Sequence, residues 1–218
     1  MNNNTQNTQI TVFYGDQPAH AHERRAINVV RNELARRGIS ATLLVNFTIR
    51  SRQIDLLIVT EQRCMNVELK HVDVTLPLIA KPNGLWRQQL PDGTERMLDR
   101  NYYEQARQET YALSDLLEKL ARKRLVPGPQ HSGFAKHIDT VVCCDPHIPA
   151  GSALTKHPHV AVVGLDTLLD RLAQPGPGFP HWAPQHWEEA IRCLGLYPEG
   201  QDAEDAVRRR ADAAAVED

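Results

Sequence analysis

Apolar residues recur along the chain at two spacings, and the switches between them mark out its elements. Over Ala21–Arg37, the residues Ala26, Ile27, Val30 and Leu34 fall at helical intervals, and Gly38 supplies a natural stop. Three strand-like segments follow, Ala41–Ile49, Gln53–Thr60 and Cys64–His71, the second carrying Ile54-Asp55-Leu56-Leu57-Ile58-Val59. Residues 72–99 break the pattern with Pro77, Pro82, Asn83-Gly84 and Pro91-Asp92-Gly93. These turn residues predict an irregular stretch and a β-hairpin pairing Leu85–Leu90 with Glu95–Leu98. A long helix is predicted over Asn101–Arg124, with Ala106, Leu113, Leu117 and Leu120 on one stripe, ended by Pro127-Gly128-Pro129. Strands at His137–Cys144 and His159–Val163, a helix over Asp166–Ala173 and a short helix near Trp187–Leu194 complete the pattern. Strands bracketed by helices predict an α/β fold with a mixed sheet covered on both faces.

This pattern divides the chain. Residues 1–19 read as a mostly disordered leader in which Ile10–Tyr14 can add a short edge strand. Residues 20–174 form the main domain, 175–198 a Pro/Gly linker with a short C-terminal helix, and 199–218 a charged, flexible tail. A length of 218 residues suits one domain with extensions. The net charge of −2 advertises no bulk basic field, but the balance is uneven. The last 20 residues carry seven acids and three arginines, which leaves 22 basic against 20 acidic residues in the rest. A local basic groove remains compatible with that balance. Four cysteines without C-x-x-C spacing suggest a reduced, intracellular protein. Met1–Gln9 lacks the features of a signal peptide, and no apolar run approaches the ~20 residues of a membrane helix. A soluble, cytoplasmic protein without membrane contact is expected.

The candidate chemistry begins at Asp55. A carboxylate inside an apolar strand is costly unless paired or bound to metal. Twelve residues separate it from Glu68, itself in an apolar strand, a gap that a strand, turn and return strand would fill. Glu68 and Lys70 lie two apart and so share a face, while Val67 and Leu69 point into apolar packing. Two carboxylates and an ammonium on one face suit phosphodiester hydrolysis with Mg²⁺ (or Mn²⁺), the carboxylates being hard oxygen ligands. Glu23 joins by helical arithmetic, sharing a stripe with Ile27, Val30 and Leu34. Gln105 shares a face of the long helix with Ala112 and Leu116, and an amide there can hold a water or a carboxylate.

In that order these residues resemble the PD-(D/E)-x-K nuclease superfamily, and more narrowly its nuclease-related domain (NERD) family, over roughly residues 20–170. The resemblance rests on Asn46-Phe47, the segment Gln53–Leu57, the segment Val67–Lys70, Gly84-Leu85-Trp86 and Asn101 with Gln105. It departs at His22, where the family usually has glycine, at Tyr102, where it often has proline, and at Ile54, where the superfamily has proline. The resemblance implies a restriction-endonuclease-like mixed sheet flanked by helices and a divalent-metal-dependent (deoxyribo)nuclease, an endonuclease acting on DNA ahead of RNA. It implies Asp55 and Glu68 as metal ligands, Glu23 as an accessory acid at the metal, Lys70 as the water-orienting or charge-stabilising lysine and Gln105 as the motif glutamine.

Plainer readings stand beside these. Glu68 and Lys70 could be an ion pair on an exposed edge strand, Asp55 a strand-entry residue bonding backbone amides, and Glu23 and Gln105 solvated helix residues. His20 with His22, and His157 with His159, lack partners at zinc spacing. Trp86 beside Arg87 suits either hairpin packing or stacking on a base. A non-catalytic nucleic-acid-binding or regulatory module, or a structural adaptor, is the functional alternative; oligomeric state is not legible.

Overall fold

The computed structural model describes residues 8–18, 20–61, 63–129, 133–174, 176–180 and 182–201. Of the expected leader, residues 1–7 lie outside the described residues; of the expected tail, residues 202–218 do.

Two sheets form. The larger is built from β1 (Ile10–Tyr14), β2 (Ala41–Ile49), β3 (Arg52–Val59), β4 (Cys64–His71), β8 (Ile138–Asp145), β10 (Ala161–Gly164) and β11 (Tyr197–Pro198). Its order is β10-β8-β4-β3-β2-β1-β11. β2, β3 and β4 form an antiparallel meander, whereas β4, β8 and β10 run parallel, as do β1 and β2. The smaller sheet, ordered β7-β6-β5-β9, comprises β5 (Leu78–Ala80), β6 (Arg87–Gln89), β7 (Glu95–Met97) and β9 (Ala153–Leu154). The fold is the mixed α/β sheet flanked by helices that the sequence predicts.

Alternation along each strand decides which helix covers which face. Met65, Val67 and Leu69 of β4 join Leu56 and Ile58 against Ala26, Ile27, Val30 and Leu34 of α1 (Ala21–Arg36) and Leu168 and Leu172 of α3 (Leu168–Ala173). On the opposite face, Leu57, Val59 and Cys64 meet Leu113, Leu117 and Leu120 of α2 (Tyr102–Arg122) and Ala190 and Ile191 of α4 (Pro184–Cys193). Side chains of this size stabilise by roughly 1.5–3 kcal/mol each when fully buried, so two such layers are what hold β3 and β4 in the centre. Among the described residues, no helix is long and apolar enough to cross a membrane.

Two expectations change here. β1 does not sit at the edge, because the chain returns after α4 as β11 and pairs Phe13 with Pro198 and Tyr14 with Tyr197. The start of the expected tail docks as well: the Glu199 amide donates to the Val12 carbonyl at 3.0 Å, and its carboxylate meets Arg31 at 2.8 Å.

Candidate active site

The site is built on an interruption of the sheet. β2 and β3 pair through Val45 and Leu56 and resume at Phe47 and Ile54, so Asn46 and Asp55 are skipped. Asn46 adopts φ 48°, a left-handed conformation that asparagine tolerates better than most side chains. Its amide is pinned on both sides, donating to the Gln17 carbonyl at 3.0 Å and accepting from Gln53 Nε2 at 2.6 Å. Gly15 must be glycine for this kink to exist, since a Cβ there would lie 2.5 Å from Phe47 Cβ. The kink releases Asp55 from the β2 ladder without shifting the register, since one residue is skipped on each strand.

Asp55 turns instead to β4. The β3–β4 ladder ends at Leu56 with Val67, and one step beyond it Asp55 Oδ2 accepts from the Leu69 amide at 2.8 Å. Asp55 and Glu68 are thus the next residues out on two adjacent strands. Glu68 points to the α2 face and is only 1% exposed. Its Oε1 contacts Lys70 Nζ and accepts from Gln105 Nε2 at 2.6 Å. Its Oε2 is buried with no hydrogen-bond partner, as is Oε1 of Gln105. The reading of Glu68 and Lys70 as an exposed edge pair therefore fails, because β4 lies between β3 and β8.

Lys70 is held from a second side. Its Nζ lies 4.8 Å from the centroid of the Tyr102 ring, a cation–π distance. Tyr102 occupies the first helical position of α2, where the resemblance leads one to expect proline, and Asn101 caps the helix by accepting from the Glu104 amide. The substitution replaces a helix starter with an aromatic floor for the lysine.

A fifth group escaped the sequence reading. Glu109 of α2 is buried, its Oε2 without a hydrogen-bond partner, and its charge acts on Glu68. It lies one turn after Gln105, and positions 105, 109, 112 and 116 follow steps of four, three and four. The arithmetic that placed Gln105 on the face of Ala112 and Leu116 also places Glu109 there.

Three carboxyl groups against one ammonium leave an excess of negative charge in a dry place. Asp55 is pushed up to about 8, by burial first and by Glu68 second. Glu68 is also pushed up to about 8, by burial and then by Glu109, and burial lifts Glu109 to about 7. Burial alone would lower Lys70, but Glu68 and Asp55 outweigh it and raise it. A divalent cation would relieve this imbalance. The unpartnered Oε2 of Glu68 beside Asp55 fits Mg²⁺, which usually takes one or two carboxylates and keeps several waters.

Glu23 does not complete that set. Among the described residues, no group of three His, Cys, Asp or Glu side chains is placed to hold one metal ion. Glu23 sits in the first turn of α1, where its carboxylate accepts from the His20 amide at 3.4 Å and closes its own helix end. Its charge reaches Asp55 only as repulsion.

With this geometry in place, comparison with known families is decisive on one point. The family model described as "Nuclease-related domain" matches residues 18–144. The chain belongs to the nuclease-related domain family. The matched span contains Glu23, Asp55, Glu68, Lys70, Gln105 and Glu109, and ends within β8. No curated protein and no solved structure matches the chain.

Proposed function

We propose that this nuclease-related domain hydrolyses phosphodiester bonds of DNA with Mg²⁺ or Mn²⁺. The observation that carries the reading is the buried, unpartnered Oε2 of Glu68, set beside Asp55 and within one side chain of Lys70. Asp55 and Glu68 would hold the ion, which would polarise a phosphoryl oxygen and acidify a bound water. Lys70 is paired with Glu68, supported by the Tyr102 ring and still partly exposed, so its remaining N–H donors are available at the surface of the site. There they orient an attacking water or stabilise negative charge developing on phosphate. Gln105 fixes Oε1 of Glu68, so that Oε2 is the oxygen left for the ion. A fixed donor set of this kind costs no reorganisation when the reaction occurs.

The test is incubation of the pure protein with supercoiled and with linear DNA in Mg²⁺, Mn²⁺ or EDTA. Nicking of the supercoiled form, dependent on metal and lost in Glu68→Ala, supports an endonuclease. Absence of metal-dependent cleavage from a folded wild type would leave the alternative, a nucleic-acid-binding module that keeps the fold.

A further inference from the structure

A groove of about 870 Å³ lies on the flank of α2 opposite Gln105 and Glu109. It opens along β10, the edge strand of the large sheet, which is mostly half-buried. Its lining includes Arg107 and Tyr111 of α2, Lys156 and His157 of the loop after β9, and Lys136 of the short turn before β8.

Its acids are already engaged. Asp115 pairs with Arg50 at 2.6 Å, Asp139 pairs with Arg63 and with Arg171, and Glu118 accepts from Ser114 at 3.1 Å. Lys136 and Lys156 are exposed and have no ion-pair partner among the described residues. Buried Nε atoms of Arg107 and Arg171, both lining the groove, also lack hydrogen-bond partners. Aromatic rings line the same groove. Tyr111 is 43% exposed, with the Arg107 guanidinium 5.7 Å from its ring centroid. His157 stacks on Tyr103 at 5.2 Å and 16°. Tyr103 packs on Trp86, and Trp86 on Tyr102, the ring beneath Lys70. One aromatic series therefore connects the groove to the catalytic lysine.

We propose that the groove binds single-stranded nucleic acid, with phosphates at Lys136 and Lys156 and bases stacked on Tyr111 and His157, while Arg107 stays paired with Glu104 at 2.6 Å. Exposed cations lining the same groove as ring faces are the chemistry that single strands require. The volume is that of a small-ligand pocket, enough for a few nucleotides of one strand and too confined for a duplex. Lys156 and His157 lie beyond the span matched by the family, so the groove is not a property the family match supplies. The proposal rests on the nuclease reading only for its biological purpose, because binding can be measured without cleavage.

The experiment measures binding of fluorescent oligo(dT) and oligo(rU) to the full chain in EDTA across a salt series. Charge reversal in Lys136→Glu/Lys156→Glu is expected to weaken binding at least tenfold. It should also flatten the salt slope by about 1.4, from two lost phosphate contacts at ~0.7 each. Tyr111→Ala should weaken binding about tenfold with little change in slope. Both lysines are exposed, so unfolding temperature should not move. Unchanged affinity and slope in the double variant would overturn the proposal. So would absence of binding by the wild type, or an equal loss of duplex binding. If the wild type binds single strands through these residues but cleaves nothing, the groove stands and the nuclease reading falls.

Discussion

Gln105 donates at 2.6 Å to the same oxygen of Glu68 that meets Lys70, which leaves the other oxygen of Glu68 buried and unpartnered. Two donors on one oxygen make the carboxylate asymmetric: one oxygen is satisfied by the protein, the other is left for something else. Hydrogen bonds to charged groups contribute about 1.5–3 kcal/mol. Gln105→Leu is therefore expected to lower cleavage by about 10- to 100-fold at saturating metal while the fold persists. Wild-type rates in this variant would show that Glu68 is positioned without the amide.

The raised carboxyl groups give stability a defined pH dependence without metal. Asp55 and Glu68 sit near 8 in the folded chain, well above the ordinary carboxylate range near 4 that they regain on unfolding. Between those values the native state holds protons that the unfolded state has lost, so stability falls as pH rises and is lowest above 8. Melting temperature in EDTA should drop from pH 5 to pH 8. Glu109→Gln removes one of the crowded charges and should flatten that drop. A rise in melting temperature over this window would mean that the carboxyl groups are not forced together.

Metal should act in the opposite sense. A ligand that binds only the native state stabilises by mass action, and here it must displace protons to bind. Mg²⁺ is expected to raise the melting temperature by several degrees at pH 8 and by little at pH 5. A 1 kcal/mol gain corresponds to about 2–4 °C at this size. Glu68→Ala should abolish the response and Glu23→Ala should keep it, since Glu23 caps a helix.

Much of this site is legible in the chain because strand alternation is strict. Two residues apart in an apolar strand, Glu68 and Lys70 had to share a face, and helical steps found Gln105. The same steps place Glu109, but as a lone acid on a predicted helix it reads as a solvated residue until Glu68 is known to face it. Glu23 misleads for the converse reason. A periodic stripe tells which face a residue takes, not that a first-turn residue turns back to its own amide. The kink at Asn46 is invisible in any apolar pattern, because the signal is a positive φ and not a change of polarity. β5 and β9, of three and two residues, are too short to show alternation, and the inner place of β1 depends on a strand returning from the far end of the chain.

The kink yields its own prediction. Asn46→Ala forces a residue with less tolerance for φ 48° and removes the bonds to Gln17 and Gln53, whereas Asn46→Gly relieves the backbone and removes the same bonds. The alanine variant should lose about 1–3 kcal/mol of stability, and the glycine variant less. If the kink is what re-aims Asp55, both should weaken Mg²⁺ binding, with alanine the worse. Unchanged metal affinity in both would show that Leu69 alone fixes Asp55.

Lys70 separates binding from chemistry most cleanly. It is not a metal ligand, so Lys70→Ala should retain the Mg²⁺-induced shift in melting temperature. What it removes is the cation that offsets Glu68 and, on the proposed mechanism, stabilises the phosphate, and loss of one such group typically costs about 10²–10³-fold in rate. Lys70→Arg keeps the charge but not the point geometry, since a planar guanidinium cannot take the place of an ammonium between the Glu68 oxygen and the Tyr102 ring without moving one of them. It should therefore recover stability in EDTA more fully than it recovers cleavage. Tyr102→Leu completes the comparison: with the ring gone and the charge kept, the rate should fall by less than in Lys70→Ala, and the metal shift should persist. Metal-induced shifts and cleavage rates measured together on these three variants decide the assignment. Loss of the metal shift in Lys70→Ala would place the lysine in the fold of the site and not in its chemistry.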